Sequence, residues 1–163
     1  PINSQRLSQQ AALKLSRAPQ EVAPGMWTTG QITERPEPEG RSVGHLIRQG
    51  DGLVQDPYED DMALVLRGGD GLVLLCGCCH AGLLNTLYHV QANLGALPHT
   101  IIGGMHLASV DARGVQHVVA RLQKMGEVSL YPNHCTGQSA YVALAVAFGS
   151  RVAPCPAGTV LEV

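Results

Sequence analysis

Three histidines of this chain each follow an apolar run and precede a helical pattern. They are His80 in Cys-Cys-His-Ala-Gly, His106 in Gly-Gly-Met-His-Leu and His134 in Asn-His-Cys-Thr-Gly. Because the carboxyl ends of parallel strands meet at one edge of an open α/β sheet, side chains that follow successive strands converge there on a ligand. A hydrolytic metal site needs imidazole or carboxylate ligands and an open position for water. The placement predicts that at least two of these histidines face such a site; the alternative for each is a backbone hydrogen bond at a strand end.

The other titratable groups are less informative. Four further histidines lie in helical patterns or loop-like segments, and we interpret them as structural or exposed: His45, His89, His99 and His117. Asp60 and Asp61 directly precede an apolar run. An acidic pair of this kind is usually a solvated edge, and the alternative is a carboxylate that contacts a metal or orients a ligand histidine.

The five cysteines do not form a disulfide framework, since their number is odd and three of them crowd within four positions. They are Cys76, Cys78, Cys79, Cys135 and Cys155. The Cys-x-Cys-Cys spacing allows a thiolate metal site, but a structural zinc site usually has a second Cys or His pair at matching spacing. We therefore expect buried, reduced thiols, with thiolate ligation as the alternative.

Composition and charge narrow the class of protein. A net charge of −2 over 163 residues, with scattered Lys and Arg, gives no electrostatic footprint for nucleic acid. No apolar run is long enough to span a bilayer, and the beginning of the sequence has no secretory signal, so we expect a cytoplasmic protein without membrane contact. Neither Gly-x-Ser-x-Gly nor Gly-Lys-Ser/Thr occurs, which disfavours covalent serine hydrolysis and P-loop nucleotide binding.

The elements that must position the histidines follow from hydrophobic periodicity. Apolar runs at Met62–Leu66 and Leu72–Cys76, separated by Arg-Gly-Gly-Asp-Gly, predict a hairpin whose second strand leads to His80. From there the pattern alternates helix and strand, with helices ending near Gly95, Gly126 and Phe148. Short strands are expected at Thr100–Ile102 and Val128–Tyr131, and strand-like runs at residues 152–154 and 159–163. This alternation predicts an α/β domain with a largely parallel sheet in that half.

The first 60 residues are less regular. Imperfect helical spacing ended by Pro19 predicts an N-terminal helix over residues 1–20. A short extended segment with turns follows at residues 21–32, and residues 34–41 read as a polar loop held extended by prolines. Nothing marks a linker, so we expect residues 1–163 to form a single domain or half-domain.

Five segments, in order, resemble a known family. They are Trp27–Ile32, Asp60–Leu64, Leu74–Leu87 with its Gly-Cys-Cys-His-Ala-Gly, Ile101–Leu107 with its Gly-Gly-Met-His-Leu, and His134–Gly137 with its His-Cys-Thr-Gly. This ordered set resembles the metallo-β-lactamase-fold hydrolases of the dihydropterin-ribofuranosylaminobenzene phosphate synthase-related branch. The resemblance covers residues 21–163.

The resemblance implies α/β/β/α layers with one or two ions of zinc, manganese or iron at the strand edge. It assigns His80 and His134 as metal ligands and makes His106 a catalytic residue, either ligand or proton donor. Cys79 stands where the family usually has Ser and Met105 where it has Phe, which changes the pocket lining more than the ligation.

The family signature His-x-His-x-Asp-His, which supplies the remaining ligands, is not found in residues 1–70. We therefore expect the chain to cover mainly the C-terminal half of the fold and to bind metal weakly alone. The predicted function is a metal-dependent hydrolase, or half of one, acting on a phosphate- or ester-bearing small molecule. The alternative is a non-catalytic half-fold module that exposes the inner face of its sheet and pairs with a complementary N-terminal half or with itself.

Overall fold

The computed structural model describes residues 7–42 and 44–162. Its strands and helices follow one another in the order β1 (Gln20–Ala23), β2 (Met26–Thr28), β3 (Leu46–Gln49), β4 (Gly52–Gln55), β5 (Ala63–Arg67), β6 (Leu72–Cys76), α1 (Leu83–Leu94), β7 (Thr100–Gly104), α2 (Ala112–Lys124), β8 (Ser129–Asn133) and α3 (Gln138–Phe148). Two 3-10 turns flank α3, at His134–Thr136 and Gly149–Arg151.

Six of the strands form one mixed sheet in the order β1-β2-β5-β6-β7-β8. The pairs from β1 to β6 are antiparallel, whereas β6, β7 and β8 are parallel. Strands β3 and β4 form a separate exposed hairpin. The predicted hairpin, the parallel half and the alternation of helix and strand are confirmed. In this register Cys76 pairs with Gly103, and Gly104 pairs with Asn133, so β6, β7 and β8 end at the same edge.

The core lies between one face of this sheet and the three helices. Leu74, Ile101 and Leu130 stand side by side across β6, β7 and β8, and none is accessible to solvent. Each helix covers them with buried leucines: Leu87 from α1, Leu122 from α2 and Leu144 from α3. Burying one such side chain contributes about 1.5–3 kcal/mol. The parallel half is therefore the rigid part that fixes the strand edge.

The helix ends follow their local sequence. Helix α1 ends at Gly95, whose φ of 78° is the left-handed conformation that glycine adopts at low cost. Helix α2 begins at Asp111, whose carboxylate accepts a hydrogen bond from the Gly114 N–H at 2.8 Å. Helices α1 and α3 instead begin at Gly82 and Gly137, which offer no side-chain cap. Both of these starts lie directly after a histidine motif.

The N-terminal helix expected over residues 1–20 is wrong for residues 11–19, which are not helical, and its first six residues lie outside the described part of the chain. The Ala11 N–H still donates to the Leu7 carbonyl at 2.9 Å. Beyond it, Ser16 Oγ accepts from the Ala18 N–H, and the Arg17 carbonyl accepts from the Gln31 N–H. Because backbone groups bond to the loop after β2, tertiary pairing overrides the weak helical periodicity.

The strand-like runs expected at the end of the sequence are also corrected. Val152 makes one isolated parallel bridge to Leu130, and residues 159–162 form no strand; Val163 is outside the described residues. The Ala153 N–H donates to the Leu130 carbonyl at 3.0 Å, but Pro154 and Pro156 have no N–H with which to continue a ladder along β8. None of the helices within residues 7–42 and 44–162 has the length and apolar character needed to cross a bilayer.

Candidate functional site

The three histidine motifs meet at the carboxyl edge of β6, β7 and β8. The loop after β7 is bonded to both neighbours: the Gly104 N–H donates to the Gly77 carbonyl at 3.0 Å, and the Met105 N–H donates to Thr136 Oγ1 at 3.2 Å. These bonds hold the three loops together as one surface. The convergence predicted from the sequence is therefore present.

Gly104 allows the loops to approach this closely. A Cβ atom at this position would lie 2.4 Å from the Gly77 carbonyl oxygen and 2.8 Å from Cys135 Sγ. The first distance is to backbone, which cannot move aside without disturbing β6. The glycine is thus a packing requirement of the site.

Backbone strain is concentrated at this edge. Four non-glycine residues among those described have a positive φ: Tyr58 at 49°, Cys79 at 65°, His106 at 48° and His134 at 50°. Such conformations cost roughly 1–3 kcal/mol each and persist where the surroundings over-determine them, often at functional sites. Tyr58, His106 and His134 belong to the two clusters described next, and Cys79 lies between them in sequence, after Cys78 and before His80.

The first is a histidine cluster formed by His45, Tyr58, His80 and His106. The His80 ring stacks on Tyr58, with centroids 4.1 Å apart and an interplanar angle of 15°, and the His106 ring lies 4.5 Å away at 58°. The Tyr58 hydroxyl is 2.6 Å from His45 Nδ1. His45, interpreted from the sequence as structural or exposed, reaches the site from the β3–β4 side. The loop-like sequence around His45 contains no pattern that would predict its place in the site.

Asp61 supports the loop that carries His80. Its Oδ2 accepts a 2.7 Å hydrogen bond from the Ala81 N–H, and its Oδ1 lies 3.8 Å from His80 Nδ1. The second distance allows charge attraction but is too long for a hydrogen bond. Asp61 therefore positions His80, whereas Asp60 is exposed, as expected of a solvated edge.

His106 is held in place at one ring nitrogen only. Its Nε2 lies 2.9 Å from Ser42 Oγ, and its buried Nδ1 has no hydrogen-bond partner among the described residues. Burial, together with the neighbouring His80, lowers the pKa of His106 below its ordinary value. The ring is therefore neutral at pH 7, with one nitrogen available for a further partner.

A polar strap, residues 34–42, covers this part of the site. Gly40 packs so tightly that a Cβ there would lie 2.9 Å from His106 Cβ. The strap is fixed to α1 by buried Asn85, which accepts from the Glu37 N–H and donates to the Glu37 carbonyl, both at 2.9 Å. The Glu37 carboxylate also contacts His117 of α2 at 2.6 Å. The sequence predicts this loop but not its place over His106.

The second group is a thiol cluster formed by Cys78, His134 and Cys135. Cys78 Sγ lies 3.1 Å from His134 Nε2, the Cys135 thiol donates to the Cys78 carbonyl at 3.3 Å, and the three ligand atoms lie within 4.8 Å of one another. Burial raises the pKa of the Cys135 thiol to about 11. The expectation of buried thiols holds for Cys79 but is wrong for the other four cysteines, which are partly exposed: Cys76, Cys78, Cys135 and Cys155. Cys78 and Cys135 are partly exposed because they lie on the open strand edge.

The structure thus brings His80 and His106 together in the histidine cluster and places His134 in the thiol cluster. The two clusters adjoin, because Cys78 and His80 are two residues apart in one loop. The donor set of imidazoles, thiols and a carboxylate suits a divalent transition metal. The unpaired ring nitrogen of His106 and the strained conformation of His134 also fit a site built for a ligand.

The mixed sheet, the helices on one of its faces and the histidine-bearing strand edge match the metallo-β-lactamase fold over the part of it that this chain spans. The chain is similar to Tm1679, a metal-dependent hydrolase of the β-lactamase superfamily, with a TM-score of 0.81 and 25% identity, covering 93% of this chain and 58% of that one. The resemblance inferred from the sequence is confirmed.

Among characterised sequences, the chain is similar to 7,8-dihydropterin-6-methyl-4-(beta-D-ribofuranosyl)-aminobenzene-5'-phosphate synthase of Methanocaldococcus jannaschii. The two are 28% identical over 127 residues, which cover 76% of this chain and 43% of the synthase. The chain therefore spans less than half the length of this relative. No family model matches the sequence.

Proposed function

We propose that this chain provides the strand-edge half of the active site of a metal-dependent hydrolase that acts on a phosphate- or ester-bearing small molecule. The observation that carries the proposal is the meeting of His80, His106 and His134 at one edge, with His106 and His134 in strained backbone conformations. The similarity to a structure described as a metal-dependent hydrolase supports the same class.

In this proposal His80 and His134 hold the cation, which is zinc, manganese or iron. When bound, such a cation acts as a Lewis acid and lowers the pKa of water so that hydroxide forms near neutral pH. Asp61 holds the His80 loop through the Ala81 N–H, and Tyr58 supports the His80 ring by stacking. These contacts fix the imidazole before any ligand arrives, which reduces the cost of binding.

His106 is the proposed catalytic residue. Its neutral ring shares one nitrogen with Ser42 and leaves Nδ1 unpaired. Because Nδ1 is buried, a substrate oxygen would contact it only after the surrounding side chains move, either as a hydrogen-bond acceptor or in exchange for a proton. The strap beside His106 restricts the access of water from that side.

A phosphate group suits the site because α3 begins there with an accessible first turn. This helix starts at Gly137 without a side-chain cap and without acidic residues in that turn, and Gln138 and Ser139 are exposed. The start of α1 at Gly82 is buried beneath the strap. Free N–H groups at a helix start attract anions. The substrate class therefore includes phosphate esters.

The cytoplasmic location proposed for the protein agrees with its free thiols.

Metal content and hydrolysis of a generic phosphodiester, bis-p-nitrophenyl phosphate, test the proposal. We expect His80→Ala and His134→Ala each to weaken metal binding by at least the roughly 10–100-fold that loss of an outer-shell partner costs. His99→Ala, which removes a ring bonded to Thr100 on the sheet, is the matched control and should retain metal and activity. Equal metal content in all four proteins would disprove the proposal.

A second candidate, a binding or assembly module, is favoured by the sheet face opposite the helices. Apolar side chains on this face remain half-exposed: Leu64, Leu66, Leu75 and Ile102. In a two-sheet fold such a face packs against a second sheet. The proposed partners are a complementary N-terminal half or a second copy of this chain.

A further inference from the structure

The thiol cluster has no part in the proposed function beyond His134. We infer that Cys78 and Cys135 join His134 as thiolate ligands and that this trio binds a thiophilic divalent cation, with zinc as its natural occupant. The inference rests on the proposed function through the shared His134. It deepens that function by assigning two further ligands and the class of metal.

The distances within the cluster already approach those of a metal site. Tetrahedral zinc, with Zn–S of about 2.3 Å and Zn–N of about 2.0–2.1 Å, separates its ligand atoms by about 3.5–3.8 Å. Cys78 Sγ and His134 Nε2 are 3.1 Å apart, and all three ligand atoms lie within 4.8 Å of one another. Side-chain shifts of a few tenths of an ångström to about one ångström would bring the three ligand atoms to the separations found around tetrahedral zinc.

The fold holds the trio in place from two separate strands. Cys78 follows β6, while His134 and Cys135 follow β8, and β7 lies between these strands. The space for Cys135 Sγ exists because Gly104 of β7 lacks a Cβ, which would lie 2.8 Å from the sulfur. His134 has a φ of 50°, so its ring reaches Cys78 at the cost of backbone strain. The strain needs a compensating interaction, which a bound cation supplies.

The chemistry of the ligands selects the cation. Two thiolates and one imidazole are soft to borderline ligands that favour zinc, cobalt or iron, whereas magnesium and calcium require oxygen ligands. The trio fills three of the four positions that zinc usually takes, and His80 of the proposed function supplies the fourth, so that an attacking water would enter as a fifth ligand. On binding, both thiols lose their protons to solvent and the sulfur lone pairs form the metal bonds. The partly exposed sulfur of Cys78 gives the cation a path of entry.

Cobalt(II) is the probe for this inference, because thiolate ligands give bound cobalt an intense near-ultraviolet charge-transfer band that imidazole and carboxylate do not. We expect the whole reduced chain to show this band at saturation with one equivalent. Cys78→Ser and Cys135→Ser should each lower its intensity per bound ion by about half, and the double variant should lack it. Cys155→Ser, which removes a thiol outside the cluster, should leave it unchanged.

The outcomes separate this inference from the proposed function. Cobalt that binds in equilibrium dialysis without the band would overturn thiolate ligation while leaving the histidine site and the hydrolase proposal intact. A normal band in a protein that hydrolyses no ester or phosphate with zinc would overturn the hydrolase proposal and support the thiolate site. A chain that binds no cobalt at all would overturn both. Circular dichroism of each serine variant verifies that it remains folded.

Discussion

At the scale of single residues, the packing of the site depends on the absence of a Cβ atom at Gly104. Gly104 and Gly77 face each other across the ends of β7 and β6, yet their surroundings differ. A Cβ on Gly104 meets the Gly77 carbonyl, whereas a Cβ on Gly77 has no heavy atom within 4 Å. The pair therefore offers a matched test of how the strand edge is packed.

We expect Gly104→Ala to lower the free energy of unfolding by about 1–3 kcal/mol, the usual cost of overpacking. Gly77→Ala, in open space and without a positive φ, should change it by no more than about 0.5 kcal/mol. Urea denaturation of both variants measures the difference. Equal effects would mean that the loops are not packed as described.

The lowered pKa of His106 gives stability a pH dependence. Because burial favours the neutral ring, the unfolded state binds more protons than the folded state at acidic pH. The contribution is therefore present above the unfolded pKa near 6.5 and is lost as the pH falls below it. We expect His106→Gln to lose less stability than the parent between pH 7.5 and 5.5 in metal-free buffer.

Chemical denaturation at the two pH values measures this effect, with His99→Gln as the control that should behave like the parent. A parent protein and a His106→Gln variant with the same pH dependence would contradict the assignment of a neutral His106.

At the scale of elements, regular apolar spacing predicted the helices and strands of the core. Contacts between residues far apart in the sequence were not predicted. Helices α1–α3 and strands β5–β8 carry regular apolar spacing because each packs on one shared core. The β3–β4 hairpin has no buried residue, so its sequence lacks the alternation of apolar and polar residues that predicts a half-buried strand. Cys78 and Cys135 are 57 positions apart, and only the crossover through β7 brings them together. His80, His106 and His134 were predicted because each lies just beyond the end of an apolar run that forms a strand.

Helix α2 provides a test of element stability away from the site. Asp111→Ala removes the carboxylate that accepts from the Gly114 N–H and should cost about 1 kcal/mol. Asp111→Asn, which retains an accepting oxygen, should keep most of that stability. Thermal unfolding followed by circular dichroism compares the three proteins. An asparagine variant as unstable as the alanine variant would show that the hydrogen bond from the Gly114 N–H does not account for the stability that Asp111 contributes.

At the scale of the whole molecule, the sheet has one face under three helices and one face without such a cover among the described residues. Contiguous apolar surface of this kind usually marks an interface. We expect the purified chain to sediment as a dimer or larger species at micromolar concentration. Leu75→Gln, on the half-exposed face, should shift it toward monomer, whereas Val146→Gln, on the outer side of α3 where Val146 is 82% exposed, should not. A compact monomer in all three would argue against the assembly proposal.

The strap over His106 links the opening above the site to the His80 loop beneath it. Its Gly40 N–H donates to the His80 carbonyl at 2.9 Å. Its Arg35 guanidinium donates to the Tyr58 carbonyl at 2.8 Å, and the Tyr58 ring stacks on His80. A substitution in the strap is therefore transmitted to the His80 ring, so substrate access and the position of this ligand cannot be adjusted independently.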